Sequence, residues 1–416
     1  MKILVTGASG LIGRHAVELL LRAGYEVRTF QRGPLTWAGP ASTYQAAETL
    51  ERGVSPRHGP TPGDRSSDIG RGGQTRQGPD AGAGESDEAR GGAWQGPATQ
   101  TGERARESAS AQTHRPTTEQ ADAGGLPLAD RATTTGDSVS SDVPGLPTSL
   151  IAHERLEVVR GDIRTDLRAL CAAAEGCGAV VHLAGRGDVG ESRRDPLGYA
   201  QLNATGTLHA LEAARAAGAI FVLASSQRVY GLQPQACRED DPLAPDSPYG
   251  YTKWVAELWC RMASGQFGLT TRVLRFFSVY GPGQQPNGGS GVVTIFARAA
   301  LANEPLVVQS AGQRDFTDAR DVARGILLAV RAPADRTHRV YNIATGVGTT
   351  FRALAEMLVA TAGSSSHIEE RIQEPAGRDL VADISRASIE LGYTPCIPLH
   401  HGLEHYVQWL RRQNSA

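Results

Sequence analysis

Short apolar runs alternate with helix-periodic stretches along most of this chain. Lys2-Ile-Leu-Val-Thr6 is short and apolar, the pattern of a strand buried on both faces. From Arg14 to Arg22 apolar residues recur at helical spacing, and Gly24 lies just past the end as a stop. Glu26 to Gln31 predicts a second strand, Leu156 to Arg160 a third and Ala179 to Ala184 a fourth. Ile220 to Ala224 predicts a fifth strand and Thr271 to Phe276 a sixth, with helical patterns near 166–175, 197–217 and 248–264. Repeated strand–helix units predict an α/β fold, a doubly wound parallel sheet with right-handed crossovers. Ligands of such sheets bind beyond the carboxyl ends of the strands.

One stretch breaks the alternation. From Pro34 to Ser149 the chain is rich in Gly, Pro, Ala, Thr, Ser, Gln and Arg, and neither period persists. So few large apolar side chains cannot offset the entropy of ordering, and residues 34–152 are expected to be a long disordered insertion after the second strand. Its role stays open between a partner-binding or regulatory arm and a tolerated insertion, because a long surface loop adds little closure cost. The rest suits one α/β domain with a small C-terminal lobe.

Composition narrows the partners. Among 416 residues, 42 Lys and Arg against 44 Asp and Glu leave no charge excess for nucleic acid or an acidic membrane. Cys171, Cys177, Cys237, Cys260 and Cys396 are scattered without metal spacing, as expected of reduced thiols, and no metal is expected. A strand beginning at Lys2 leaves no room for a signal peptide, and no apolar run is long enough to span a bilayer. The expectation is a cytoplasmic protein.

Two constellations carry chemistry. Gly7-Ala-Ser-Gly10-Leu-Ile-Gly13 falls between the first strand and the first helix, the order that forms a dinucleotide pyrophosphate site. Gly7 permits the turn, Gly10 lets backbone approach phosphate and Gly13 lets the helix pack on the strand. No Gly-Lys-Ser/Thr follows, which excludes a P-loop. Further on, Tyr249 and Lys253 lie one helical turn apart, with Ser226 upstream. An ammonium beside a phenol is expected to lower its pKa towards that of a usable base, and a serine hydroxyl completes a proton-transfer unit. Tyr251 cannot substitute, because Val255 occupies the position four residues on.

Together these residues resemble the extended short-chain dehydrogenase/reductase family, in its nucleotide-sugar epimerase/dehydratase branch, over residues 1–33 and about 153–412. The supporting motifs occur in order: Gly-Asp-Ile at 161–163, His-Leu-Ala-Gly at 182–185, Asn203-Ala-Thr-Gly-Thr207 and Ser225-Ser226-Gln-Arg-Val-Tyr-Gly231. Ser247-Pro-Tyr-Gly-Tyr-Thr-Lys253, Arg275-Phe-Phe-Ser-Val-Tyr-Gly-Pro-Gly283, Arg314-Asp-Phe316 and Tyr341-Asn-Ile343 follow. The resemblance implies a Rossmann-type NAD(P)-binding domain from 1–33 and 153–285. It implies a mainly substrate-binding lobe from 286–416, with one strand–helix portion returning to the first domain. By the same resemblance Gly7, Gly10, Leu11, Ile12 and Gly13 would hold the pyrophosphate. Asp162 and Ile163 would flank the adenine, and Leu183, Ala184 and Gly185 would line the cofactor. Lys253 would bind the nicotinamide ribose and Phe277 would pack near the nicotinamide. Asn203 would support the catalytic Ser226, Tyr249 and Lys253, and Arg314 would bind the diphosphate, a task suited to a cationic fork.

Departures from the family pattern shape the expected chemistry. Gln31 and Arg32 stand where NAD-binding members carry an acidic residue for the ribose hydroxyls, which leaves NAD or NADP open. Gln227 and Arg228 replace the carboxylates of the dehydratases, and Arg228 replaces a glutamate of the decarboxylases. Gln227 cannot ionise and Arg228 cannot accept a proton, which disfavours both reactions. Ser278 replaces a substrate-contacting asparagine. Val189-Gly-Glu-Ser192 is similar to a loop of UDP-glucose 4-epimerase and makes Ser192 a substrate candidate, although Gly187 stands where that loop has a lysine.

The expected activity is 4-epimerisation of a nucleotide sugar through a transient keto-sugar, with Tyr249 as base. The alternatives are an NADPH-dependent reductase of a keto-sugar or related ketone, and a catalytically inactive nucleotide-sensing scaffold. A homodimer is expected through the helices carrying Tyr199, Leu202, Leu208 and Leu211 and Val255, Leu258, Trp259 and Met262. His182 reads as strand packing, His401 and His405 as helix surface or packing, and Glu239-Asp-Asp241 as a solvated acidic turn.

Overall fold

The structure, a computed structural model, describes residues 1–33, 153–231, 233, 236–284, 291–372 and 379–414. The insertion expected over 34–152 lies outside the described residues. Strands β1 (Lys2–Thr6), β2 (Glu26–Gln31), β3 (Leu156–Arg160), β4 (Cys177–His182), β5 (Ile220–Ser226), β6 (Thr271–Phe276) and β7 (His338–Ile343) form one sheet. Their order is β7-β6-β5-β4-β1-β2-β3, and every neighbouring pair is parallel. This is the doubly wound sheet that the alternation predicts. The order turns back between β1 and β4, which opens a crevice above their carboxyl ends.

Helices cover both faces. On one side lie α1 (Leu11–Arg22) and the later helix at Ala319–Arg331, which buries Val322, Ala323 and Ile326 beside Val17 and Leu20 of α1. On the other lie α2 (Leu167–Ala174), α3 (Gly206–Ala217) and α4 (Pro248–Phe267), packed around Leu4, Phe30, Phe221 and Ala256. Burying each large apolar side chain of this kind contributes about 1.5–3 kcal/mol. A separate cluster unites α5 (Val292–Leu301), α6 (Phe351–Ala362) and α7 (Leu399–Asn414) through Phe296, Leu354, Leu358, Tyr406 and Trp409.

Local signals set the ends of α4. Ser247 caps α4 by accepting from the Gly250 N–H, Pro248 opens the first turn and Gly268 closes the helix in the left-handed conformation. Two boundaries differ from the sequence pattern in ways that matter. β5 runs two residues further than expected, so Ser225 and Ser226 are strand residues paired with Arg275 and Phe276. The helix expected over 197–217 is interrupted by a π-helical segment at Ala200–Thr205, which contains Asn203. Such wide turns concentrate at functional sites. Among the described residues no helix is long and apolar enough to cross a membrane.

Candidate active site

The glycine loop leaves β1 and enters α1 with three different steric demands. Gly7 has φ +73°, and a Cβ there would stand 2.6 Å from the Ala184 nitrogen. A Cβ at Gly13 would collide with the Gly7 oxygen. At Gly10 the nearest atom is that same oxygen at 3.4 Å, so a side chain would fill the cleft and not the protein. The cleft, about 310 Å³, runs past Gln31, Arg32 and Gly33 at the end of β2, and past Asp162, Ile163, Leu183, Ala184 and Gly185. Leu11 and Ile12 are half-buried in the first turn of α1. That turn carries no acidic residue, and its N-cap Gly10 offers no side chain, so its N–H groups are open to an anion.

Gln31 adds a second signal. Its Nε2 donates to the Gly33 carbonyl at 3.1 Å, and among the described residues its buried Oε1 has no partner. An orphaned buried acceptor is costly unless a ligand donor meets it. A bare glycine cradle at a helix N-terminus, with an acceptor at the end of β2, fits a dinucleotide with free ribose hydroxyls.

Tyr249 and Lys253 are buried on one face of α4, beside Ser226 at the end of β5. The Ser226 hydroxyl is within hydrogen-bonding reach of the phenol, which also meets Tyr199 edge to face at 6.3 Å. The ammonium does not act on the phenol as expected. Lys253 Nζ turns to the Ala224 carbonyl at 2.8 Å, where it lies 3.4 Å from the position of a Cβ at Gly185, at the cofactor cleft. Burial therefore dominates and raises the Tyr249 phenol, while the Ser226 hydrogen bond and the Arg228 cation pull it down. Burial likewise lowers the Lys253 ammonium to about 8, opposed by Glu257.

A supporting network holds these groups. Asn203 Nδ2 donates to Thr252 Oγ1 at 3.1 Å and to the Arg186 carbonyl at 3.0 Å, and its Oδ1 accepts the Arg186 N–H at 2.9 Å. The π-helical turn thus ties the loop after β4 to α4. His182 bridges Thr6 at 2.8 Å and Thr207 at 3.1 Å, and burial lowers it to about 3. It packs β1 against α3, as its place in the strand suggests. One turn beyond Lys253, buried Glu257 accepts from Ser225 and binds Arg275 through Nε at 3.1 Å and Nη2 at 2.7 Å. Sequence reasoning missed this pair, because nothing local couples positions on α4 and β6.

Two expectations are corrected. Ser192 is wholly buried and its hydroxyl donates to the Val189 carbonyl at 2.7 Å, so it presents nothing to a substrate. Glu239 is not solvated: its carboxylate accepts the Asn342 N–H at 2.8 Å and its carbonyl accepts from Arg275 at 3.0 Å. Phe277 is wholly buried beside Tyr230 in a cluster with Val229 and Cys237. His405, in turn, packs against Arg320, with 3.1 Å between Nδ1 and the guanidinium.

A second cleft of about 230 Å³ is lined by Gln227, Arg228, Ser278, Arg314, Phe316 and Phe351 among others. Gln227 Nε2 donates to Ser278 Oγ at 3.1 Å, and Arg314 lies over the Phe351 ring at 5.3 Å. Burial lowers Arg314 to about 10, with Arg228 adding to the effect. The Tyr249 hydroxyl lies 3.8 Å from the position of a Cβ at Gly187, two residues beyond the lining of the first cleft at Gly185, and Gln227 and Arg228, next to Ser226, line the second.

The sequence model of the NAD dependent epimerase/dehydratase family matches residues 3–44 and 128–344, more than half of the chain. The unmatched stretch between these falls inside the expected insertion. The UDP-glucose 4-epimerase of Mycolicibacterium smegmatis is 32% identical over 271 residues, 63% of this chain and 85% of that protein. The dTDP-glucose 4,6-dehydratase of Streptomyces griseus is 33% identical over 281 residues, 65% of this chain and 83% of that protein. The crystal structure of UDP-glucuronic acid 4-epimerase from Bacillus cereus, in complex with UDP-glucuronic acid and NAD, has a TM-score of 0.66 at 24% identity. That match covers 99% of this chain and 100% of the other, and shows the shared fold.

Proposed function

The chain belongs to the NAD dependent epimerase/dehydratase family, and from that premise we propose that it inverts C4 of a nucleotide sugar with NAD as its resident cofactor. The observation that carries the reading is the intact Ser226, Tyr249 and Lys253 set beside two clefts, with no carboxylate at 227 or 228. Gly7, Gly10 and Gly13 would hold the pyrophosphate, Gln31 the ribose hydroxyls, and Lys253 the ribose nearest Gly185. An acceptor such as Gln31 Oε1 suits a hydroxyl and repels a phosphate, which favours NAD over NADP. When bound, the oxidised nicotinamide supplies an acceptor for hydride.

The chain's own residues then have defined tasks. Tyr249 takes the proton of the C4 hydroxyl as that carbon is oxidised, and Ser226 donates to the developing carbonyl oxygen. Arg228 and Ser226 stabilise the phenolate, against the cost of burying it. Arg314 holds the diphosphate, so that the sugar can turn its other face without leaving. Tyr249 returns its proton when the alcohol re-forms. Dehydration needs a further acid and base, which Gln227 and Arg228 do not provide.

Incubation with UDP-, dTDP- and GDP-sugars, with products followed by NMR, tests the reading. A C4 epimer with no net change in nicotinamide absorbance is expected. Stoichiometric consumption of NADPH would make the protein a reductase instead, and cofactor binding without turnover of any sugar would make it a sensor.

A homodimer is part of the same proposal. α4 leaves Tyr251 52% and Leu258 45% exposed, with half-buried Val255 and Met262 on the same stripe. Light scattering at micromolar concentration should return twice the mass of one chain, and a monomer would refute the pairing.

A further inference from the structure

We propose that Arg228 forms a carboxylate site at the sugar end of the substrate cleft, so that the substrate is a nucleotide-linked uronic acid. The proposal rests on the epimerase reading above and specifies its substrate.

Gln227 and Arg228 follow Ser226 directly in a short 3₁₀ turn, and both line the second cleft. The backbone N–H of Arg228 donates to Ser226 Oγ. Its guanidinium has no hydrogen bond or ion pair among the described residues. Elsewhere in the interior, arginines are matched: Arg275 by Glu257 at 2.7 Å and Arg320 by Asp318 at 2.8 Å. Here Arg228 shares one small cleft with Arg314, and the two cations repel. Asp379 and Asp246 act on Arg314 in the opposite sense, which leaves Arg228 as the cation of this cleft open to an anionic ligand.

A nucleotide sugar always offers a diphosphate, and Arg314 suffices to direct it. Arg228 belongs to the opposite end of the ligand, because it adjoins Ser226 and its charge reaches the Tyr249 phenol. Tyr249 and Ser226 would act at C4, and in a hexose the carbon next to that end that can carry an acid is C6, the substituent on C5. The planar guanidinium fork matches a C6 carboxylate in two parallel hydrogen bonds. Beside it, Gln227 Oε1 is buried without a partner among the described residues, ready to accept from a neighbouring sugar hydroxyl.

The same pairing protects the intermediate. Oxidation at C4 of a uronic acid leaves the carboxylate β to a ketone. Loss of CO₂ would send the C5–C6 electron pair into a C4–C5 enolate, which then takes a proton at C5. That step requires the negative charge to leave the carboxylate. A guanidinium bonded to the carboxylate stabilises the charge where it starts and opposes the loss.

Calorimetric titration of the NAD-loaded full chain with UDP-glucuronic acid, UDP-glucose and UDP tests the site without reading turnover. UDP-glucuronic acid should bind about ten- to a hundredfold more tightly than UDP-glucose, the range for hydrogen bonds to a charged group. Arg228→Gln should erase that difference, weakening UDP-glucuronic acid at least tenfold more than UDP-glucose or UDP, and Arg228→Lys should restore part of it. An unchanged thermal transition in both variants shows that they fold. Equal affinity of the two sugars for the unaltered protein would overturn the proposal. A uniform loss for all three ligands in Arg228→Gln would also overturn it, by assigning the arginine to the diphosphate. If none of UDP, dTDP and GDP binds, the nucleotide-sugar reading falls and takes this inference with it.

Discussion

Replacing Tyr249 with phenylalanine is expected to lower turnover by about 10²–10⁴-fold, the usual contribution of a positioned acid–base group. The substitution keeps the ring and its edge-to-face contact with Tyr199, and removes only the hydroxyl beside Ser226. NAD affinity should stay close to that of the unaltered protein, because the glycine cradle and the Lys253 hydrogen bond to Ala224 are untouched. NMR of sugar interconversion measures the first quantity and quenching of protein fluorescence by NAD the second. Full activity in this variant would remove the phenol from the mechanism. Loss of NAD binding along with activity would mean that the Tyr249 hydroxyl positions the cofactor instead.

Glu257→Ala should lower stability by about 3–5 kcal/mol, the cost of leaving a buried charge without its partner. Side-chain exposures of 4% for Arg275 and 6% for Glu257 leave water little access to either group. The carboxylate also accepts from Ser225, next to the catalytic Ser226, so its loss loosens β5 from α4 where the serine and tyrosine must meet. The urea midpoint should fall, and activity should fall with it. Adding Arg275→Met should recover much of the stability, since no orphan cation then remains. A single variant with an unchanged midpoint would show that the pair does not hold the sheet to the helix.

Much of the scaffold was legible in the chain. β2, β3 and β6 occupy the ranges that their apolar runs predict, and the glycine loop lies between β1 and α1. These features are local: a short buried strand, a left-handed turn and a helix start each depend on neighbouring residues. The spacing of Tyr249 and Lys253 likewise places both on one face of α4, since helical periodicity needs no tertiary information.

Sharing a face did not make them partners. Lys253 bonds to Ala224, and burial moves the phenol in the direction opposite to the one that spacing suggested. Ser192 and Glu239 went astray for the same reason, because depth and available partners depend on distant elements. Glu257 reaches Arg275 only because α4 crosses β5 and β6. By itself, then, the sequence determined the class of fold, the glycine loop between β1 and α1 and the shared helix face of Tyr249 and Lys253, all written in short-range pattern. The tertiary structure decided which of those groups touch, which are sealed from ligand, and that Arg228 is left without a counter-charge among the described residues, because electrostatics and burial are set by everything packed around a residue.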